Sequence, residues 1–99
     1  MTIPVDLSIV SHEDFHKVLG NTFVVENTGI ECTLTSVSAR KPHPDLPRTP
    51  FSLTFTSNSK AILPQGTYHL INPDLPDLSI FIVPIKEEQT GIVYQAVFN

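Results

Sequence analysis

The sequence has few of the residues that build covalent or metal-bound scaffolds. Cys32 is the only cysteine among the 99 residues, which excludes an internal disulfide and a zinc cluster made of several cysteines. Cys32 lies in phase with Ile30 and Leu34 in an alternating stretch. We therefore predict that Cys32 is a small buried apolar residue rather than a nucleophile.

Charge is scarce as well. Charged residues make up 16% of the chain, against about 25% in an average soluble protein. Six basic residues stand against ten acidic ones, which gives a net charge of −4. Such a chain lacks the basic surface with which proteins hold a nucleic-acid backbone, so we expect no nucleic-acid partner.

Long apolar runs are missing too. No stretch approaches the roughly 20 apolar residues that a membrane-spanning helix needs, so we expect no membrane insertion. The first basic residue is Lys17, whereas a secretory signal peptide carries positive charge ahead of its apolar segment. We expect synthesis in the cytoplasm without a signal peptide, followed by incorporation into an exported or particle-associated assembly.

Alternation of apolar and polar residues predicts a mainly β protein. The predicted strands are residues 22–26, 30–37, 51–57, 63–71, 78–85 and 92–99. Short linkers make successive strands antiparallel neighbours, most securely 66–71, 78–85 and 92–98. We therefore predict a single domain over residues 1–99, with a compact antiparallel six-stranded sheet that closes into a small barrel or a sandwich.

The predicted strand at 78–85 is apolar on both faces. Its two sets are Leu78, Ile80 and Ile82 on one face and Phe81, Val83 and Ile85 on the other. The last strand repeats this pattern, with Val93 and Val97 on its second face. Strands with two apolar faces are normally covered on both. We expect the helix, the N-terminal arm or a partner subunit to cover the outer face.

The first residues alternate as well. The apolar positions of this segment are Ile3, Val5, Leu7 and Ile9. Pro4 cannot donate a ladder hydrogen bond, which confines such a segment to an edge strand or an extended arm. We predict that residues 1–9 form an arm that packs on the domain or on a neighbouring copy.

Residues 11–19 carry the signals of one short helix that packs on the sheet. Ser11 and Asp14 are spaced as an acidic capping box, and Gly20 provides the stop signal. The predicted apolar stripe consists of Phe15, Val18 and Leu19.

The same helix spells HEDFH, the H-E-x-x-H pattern of zinc-dependent hydrolases. His12 and His16, four residues apart, could hold one metal ion from one helix face, and Glu13 would polarise a bound water. However, the helical wheel turns Glu13 away from the apolar stripe, and His12 lies in the first turn. Neither His43 nor His69 follows at a recognisable spacing for a third ligand. We therefore expect no metal and no cofactor, and keep His12 and His16 as the alternative metal ligands.

Several short motifs are distributed along the chain. They are Phe15 with Leu19-Gly20, Phe23, PFSL at 50–53, LPQGTY at 63–68, FIVPI at 81–85 and YQAVFN at 94–99. With them the chain resembles a small bacterial family that has no assigned function. Members tend to be encoded near phage-tail-collar-like proteins, which implies a role beside such assemblies. They usually carry another residue in place of His16, so the resemblance supplies no catalytic residues.

These features favour a non-enzymatic structural or protein-interaction module that self-associates or docks into a phage-tail-like or surface assembly. We expect a homo-oligomer, with edge-strand pairing through residues 3–9. The predicted interaction residues are Ile3, Val5, Leu7, Ile9, Phe81, Val83 and Val97. One alternative is a zinc-dependent hydrolase that uses HEDFH. A second, a small-ligand or carbohydrate-binding β-barrel, rests on fold analogy, and only Tyr68 and Tyr94 are available to stack on a sugar.

Overall fold

The computed structural model describes residues 11–41, 44–45 and 49–98. Over these residues the chain forms one short helix and six strands, in the order α1 (His12–His16), β1 (Thr22–Val25), β2 (Glu31–Ala39), β3 (Phe51–Ser57), β4 (Gly66–Ile71), β5 (Leu78–Glu87) and β6 (Ile92–Phe98). No helix in this part of the chain is long and apolar enough to cross a membrane. The predicted arm at residues 1–9 lies outside the described residues.

The strands form a closed barrel in the order β1-β2-β3-β6-β5-β4. Every neighbouring pair is antiparallel. The predicted mainly β fold is confirmed, as are the neighbouring positions of β4, β5 and β6. Of the two predicted closures, the chain adopts the barrel. Its order departs from the sequence because β3 pairs with β6, and β1 completes the barrel against β4.

Aromatic side chains fill one end of the barrel. Phe51, Leu53 and Phe55 of β3 point inward and are buried, as their alternation predicts. The rings of Phe51 and Phe98 stack with their centroids 4.6 Å apart. Phe15 of α1 packs against both rings, at centroid distances of 5.8 Å and 5.6 Å. The helix is therefore docked on the barrel by Phe15.

The helix is shorter than the predicted span of residues 11–19. It begins after Ser11, whose backbone N–H donates to the carboxylate of Asp14 at 2.9 Å. It ends at His16, and turns of the i to i+3 kind follow before Gly20, whose φ is +88°. The capping signals at its start and the glycine stop are confirmed, but the last residues before the glycine are not helical.

This early end changes the predicted apolar stripe. Phe15 and Val18 are buried, as predicted, whereas Leu19 is 43% exposed. The prediction was wrong for Leu19 because helical spacing no longer applies beyond His16. Leu19 therefore contributes little to holding the helix on the barrel.

The segment that contains α1 follows β2 beyond the end of β1. The backbone N–H of Gly20 donates to the carbonyl of Leu34 at 2.8 Å, just beyond the last residue pair between β1 and β2. At the other end of the segment, the centroid of the His12 ring lies 6.2 Å from that of the Phe51 ring. Phe51 pairs with Ala39, the last residue of β2. Covering an open strand edge with a helix is a common protection against unwanted pairing.

Asn72 secures the shortest seam of the barrel. β1 and β4 share only the pairs Val24–Ile71 and Val25–Leu70. Just beyond β4, the buried amide of Asn72 donates to the carbonyl of Thr22 at 2.9 Å. This side-chain hydrogen bond extends the contact between the two strands beyond their backbone ladder.

Candidate functional site

The HEDFH stretch coincides with α1, so His12 and His16 lie four residues apart on one helix. The His12 side chain is half-buried against Phe51, whereas Glu13 and His16 are exposed. Glu13 thus faces away from the docking side of the helix, as the helical wheel predicts. In a hydrolase the glutamate has to reach a metal-bound water inside a cleft, and its exposure here gives that role no support.

Among the described residues, no third metal ligand joins His12 and His16 at this helix. His43 lies outside the described residues, and His69 lies on β4 in contact with Glu26. Among the residues that the structure describes, no group of three or more His, Cys, Asp or Glu side chains could hold a metal ion. Metal binding by His12 and His16 stays an untested alternative.

His69 belongs to a small polar cluster that the sequence does not reveal. Its Nδ1 lies 2.7 Å from a carboxylate oxygen of Glu26, just past the end of β1. Its Nε2 is buried without a hydrogen-bond partner in the described part of the chain, and the nearest carboxylate oxygen of Asp77 is 3.9 Å away. Glu26 and His69 are 43 residues apart in the sequence, and the pairing of β1 with β4 brings them together. The cluster spans the β1–β4 seam, where its contacts are well placed to reinforce the pairing of these two strands.

Cys32 is a core residue, as predicted. It is 2% exposed, and burial raises the pKa of its thiol to about 11. The thiolate is the nucleophilic form of cysteine, so this environment keeps the side chain in its unreactive state.

The hydroxyls of both tyrosines form hydrogen bonds within the barrel domain. Tyr94 is fully buried and accepts a hydrogen bond from the backbone N–H of Leu63 at 2.9 Å. Burial raises the pKa of its hydroxyl. The hydroxyl of the half-buried Tyr68 donates to the carbonyl of Pro64 at 2.7 Å. Tyr94 is therefore closed to sugar stacking, which removes much of the support for the carbohydrate alternative.

A polar groove of about 680 Å³ lies on the outside of the barrel. Thr22, Thr33 and Thr56 form a row across β1, β2 and β3, and the groove is also lined by Glu31 and Glu88. Such hydroxyls can donate and accept hydrogen bonds. However, threonine is a common residue on strand faces, which accounts for this row without a ligand.

The predicted interaction residues on β5 and β6 form what we call the outer apolar face, defined as Phe81, Val83 and Val97. Phe81 is 52% exposed, Val97 is 51% exposed and Val83 is half-buried. Val83 pairs with Gln95, so the same register brings Phe81 and Val97 side by side two residues further on. The other predicted interaction residues, Ile3, Val5, Leu7 and Ile9, lie outside the described residues.

Of the three covers predicted for this face, the helix is not the one that the chain uses. α1 docks on the barrel through Phe15 and follows β2, away from β5. Phe81 and Val97 consequently stay about half exposed in the described part of the chain. The predicted cover by an arm or by a partner stays a prediction.

Among the described residues, the direct cross-strand neighbours of the outer apolar face are uncharged. Ser52 pairs with Val97, Thr67 pairs with Phe81, and Gln95 pairs with Val83. All of these neighbours can both donate and accept hydrogen bonds through their side chains. The face is thus an apolar stripe between neutral polar groups.

A second apolar surface lies near the bulge of β5. The bulge falls between Pro84 and Lys86, and it leaves Ile85 49% exposed. Nearby, a groove of about 280 Å³ is lined by Ile62, Pro84, Lys86, Glu87 and Ile92. Ile62 is 61% exposed, and the sequence pattern did not single it out because it lies outside the strands.

Comparison with known proteins identifies the family of the chain but assigns it no activity. No curated protein and no solved structure matches the chain. A family model described as "Domain of unknown function" matches residues 10–98, which is nearly the whole chain and includes all the strands of the barrel. The resemblance to a small family without an assigned function is thereby confirmed, and the chain belongs to the family Domain of unknown function (DUF6916).

Proposed function

We propose that this chain is a non-enzymatic protein-interaction module that binds another protein through its outer apolar face. The observation that carries the proposal is the half-exposed pair Phe81 and Val97 on adjacent strands. Exposed aromatic and aliphatic side chains that cluster rather than scatter mark interaction surfaces in soluble proteins.

The shape of this face favours a protein over a small ligand. Small-molecule sites are concave and bury most of their ligand. The outer apolar face lies on the convex outside of a closed barrel, where a small ligand would meet one wall only. A protein partner can instead spread contacts over several strands.

The binding free energy that this face can supply is estimated from Phe81. Covering the exposed half of a phenylalanine removes about 100 Å² from water, which is worth about 2.5 kcal/mol at 25 cal/mol/Å². Val97 adds a smaller amount next to it. A partner that covers both residues therefore gains most of its binding energy from two side chains, as is usual at protein interfaces.

The proposal extends to the setting of the module. We place it in a phage-tail-like or surface assembly, as a chain made in the cytoplasm and then built into a particle. The family resemblance supports that setting through the encoded neighbours of its members. An apolar face without full charges supports it as well, because assembly interfaces are depleted of charge at their centre.

Selection of displayed peptides on the immobilised protein tests the binding role. We expect the selected binders to lose at least about tenfold in affinity for the Phe81→Ser, Val97→Ser double variant. They should keep their affinity for Val24→Ser, a matched control that removes a 39% exposed valine from the outside of β1. Binders that hold all three proteins equally would contradict the assignment of the face.

Elemental analysis of the untagged protein tests the non-enzymatic part. Stoichiometric zinc that disappears in His16→Ala would contradict the proposal and revive the hydrolase alternative. Zinc at trace level in both proteins would support it.

A further inference from the structure

Building on the proposed function, we infer that the partner of the outer apolar face is a second copy of this chain, related to the first by a twofold axis. In such a dimer the same surface of each copy meets its counterpart. Phe81 and Val97 of one copy then cover Val97 and Phe81 of the other. The inference rests on the charge, the hydrogen-bonding character and the size of this surface.

Charge restricts where two copies can meet. Each copy carries a net charge of −4, so most face-to-face contacts would bring like charges together, which costs binding energy. The centre of the outer apolar face consists of Phe81, Val83 and Val97, and their cross-strand neighbours are neutral. Two copies can therefore meet with these neutral residues at the centre of the contact, and Glu26, which contacts His69 beside Ser79, lies at one edge.

The polar margin of the face is self-complementary. In a twofold interface a residue of one copy meets a different residue of the other, so the margin fits its own copy when each of its groups can pair with the others. Ser52 and Thr67 carry hydroxyls, and Gln95 carries an amide, and each of these both donates and accepts hydrogen bonds. Any two groups of this margin can thus hydrogen-bond to each other across a twofold axis. The centre of the face offers no charge that would select a basic or an acidic partner.

The dimensions of the face indicate a weak dimer. Four neighbouring strands about 4.8 Å apart span about 14 Å. The outward residues from Ser79 to Val83 span about 13 Å along β5. The resulting footprint of about 200 Å² is well below the roughly 800 Å² per partner of a standard interface. Interfaces of standard size range from about µM to pM in affinity, so we expect a dissociation constant above about 1 µM for this smaller one. Such an affinity becomes relevant where many copies are held together in an assembly.

Sedimentation equilibrium of the full chain between about 10 µM and about 1 mM tests the inference over the range that such an affinity requires. We expect the average mass of the wild-type protein to rise towards twice the monomer mass. Phe81→Lys and Phe81→Glu should each weaken the dimer by more than about tenfold, because each places two like charges at the twofold axis. An equimolar mixture of the two variants should recover the dimer, and high salt should weaken this recovery.

The controls separate this inference from the proposed function. Val24→Lys and Val24→Glu change charge equally on the outside of β1 and should leave the dimer unchanged, and circular dichroism verifies that every variant folds. A wild-type protein that stays monomeric up to about 1 mM would overturn the second copy as the partner, while displayed binders that need Phe81 would still support the proposed function. A dimer that survives both Phe81 variants, or a mixture that fails to recover it, would overturn the twofold interface.

Discussion

Gly91 offers the sharpest test of the barrel because a single methyl group there has no room. A Cβ at this position would overlap the carbonyl oxygen of Ser57 and lie 2.6 Å from its carbonyl carbon and 2.9 Å from its Oγ. Ser57 cannot move aside easily. It pairs with Cys32 in the β2–β3 ladder, and its hydroxyl accepts the N–H of Ile92 at 2.9 Å and donates to the carbonyl of Ser59 at 2.9 Å.

Gly91→Ala should therefore push the β5–β6 hairpin away from the end of β3. Overpacking costs about 1–3 kcal/mol, and loss of the Ser57–Ile92 hydrogen bond adds about 1 kcal/mol. We expect a loss of about 3 kcal/mol in the free energy of unfolding. For a domain of this size that lowers the Tm by roughly 15 °C.

Thermal and urea unfolding, followed by circular dichroism, measures this loss. Gly66→Ala is the matched control, since its new Cβ would meet only Tyr68 Cε2 at 3.7 Å and the carbonyl oxygen of Pro64 at 3.9 Å. These are ordinary contacts, so the control should change the Tm by only a few degrees. Equal Tm values for the two variants would refute the close approach of β3 and the hairpin, and with it the β3–β6 pairing that gives the barrel its order.

Three further predictions concern the core. Phe15→Ala should cost about 3–5 kcal/mol in urea unfolding, because Phe15 is fully buried against Phe51 and Phe98; a loss below about 1 kcal/mol would mean that α1 is not docked there. Cys32 should react with a thiol reagent at pH 8 far more slowly in the native protein than in urea, since burial raises its pKa to about 11. The thiol ionises at lower pH in the unfolded protein than in the folded one. Cys32 therefore contributes stability below about pH 8.5 that is lost as pH rises towards about 11. Cys32→Ala should remove this part of the decline in the free energy of unfolding with pH.

The inward and outward positions of the strands could be predicted because they depend on local alternation. Phe51, Leu53 and Phe55 alternate with serine and threonine, and all three are buried. The turn at Asn27 and Gly29 was equally predictable, since both residues adopt the positive φ that their types tolerate best. A period of two identifies the faces of a strand without any knowledge of its neighbours.

Closure of the sheet could not be predicted in the same way. The pairing of β1 with β4 and of β3 with β6 joins segments that are distant in the sequence, and alternation does not say which strand lies beside which. The contact between His69 and Glu26 depends on that closure, so it was missed. The exposure of Leu19 was missed for a local reason, because turns replace the last predicted turn of helix.

Closure also decides how this chain can bind another protein. Strand addition needs a free backbone edge, but each strand of the described barrel pairs on both sides over part of its length, and the segment of α1 follows the extension of β2. An extended partner, including a segment with the alternation of residues 3–9, would find little edge to pair with on these strands. Binding then has to use side chains rather than backbone groups. Phe81 and Val97 are adjacent and half exposed, and their direct cross-strand partners on β3 and β4 are uncharged, so the barrel favours the proposed association through the outer apolar face over the edge pairing that alternation alone suggests.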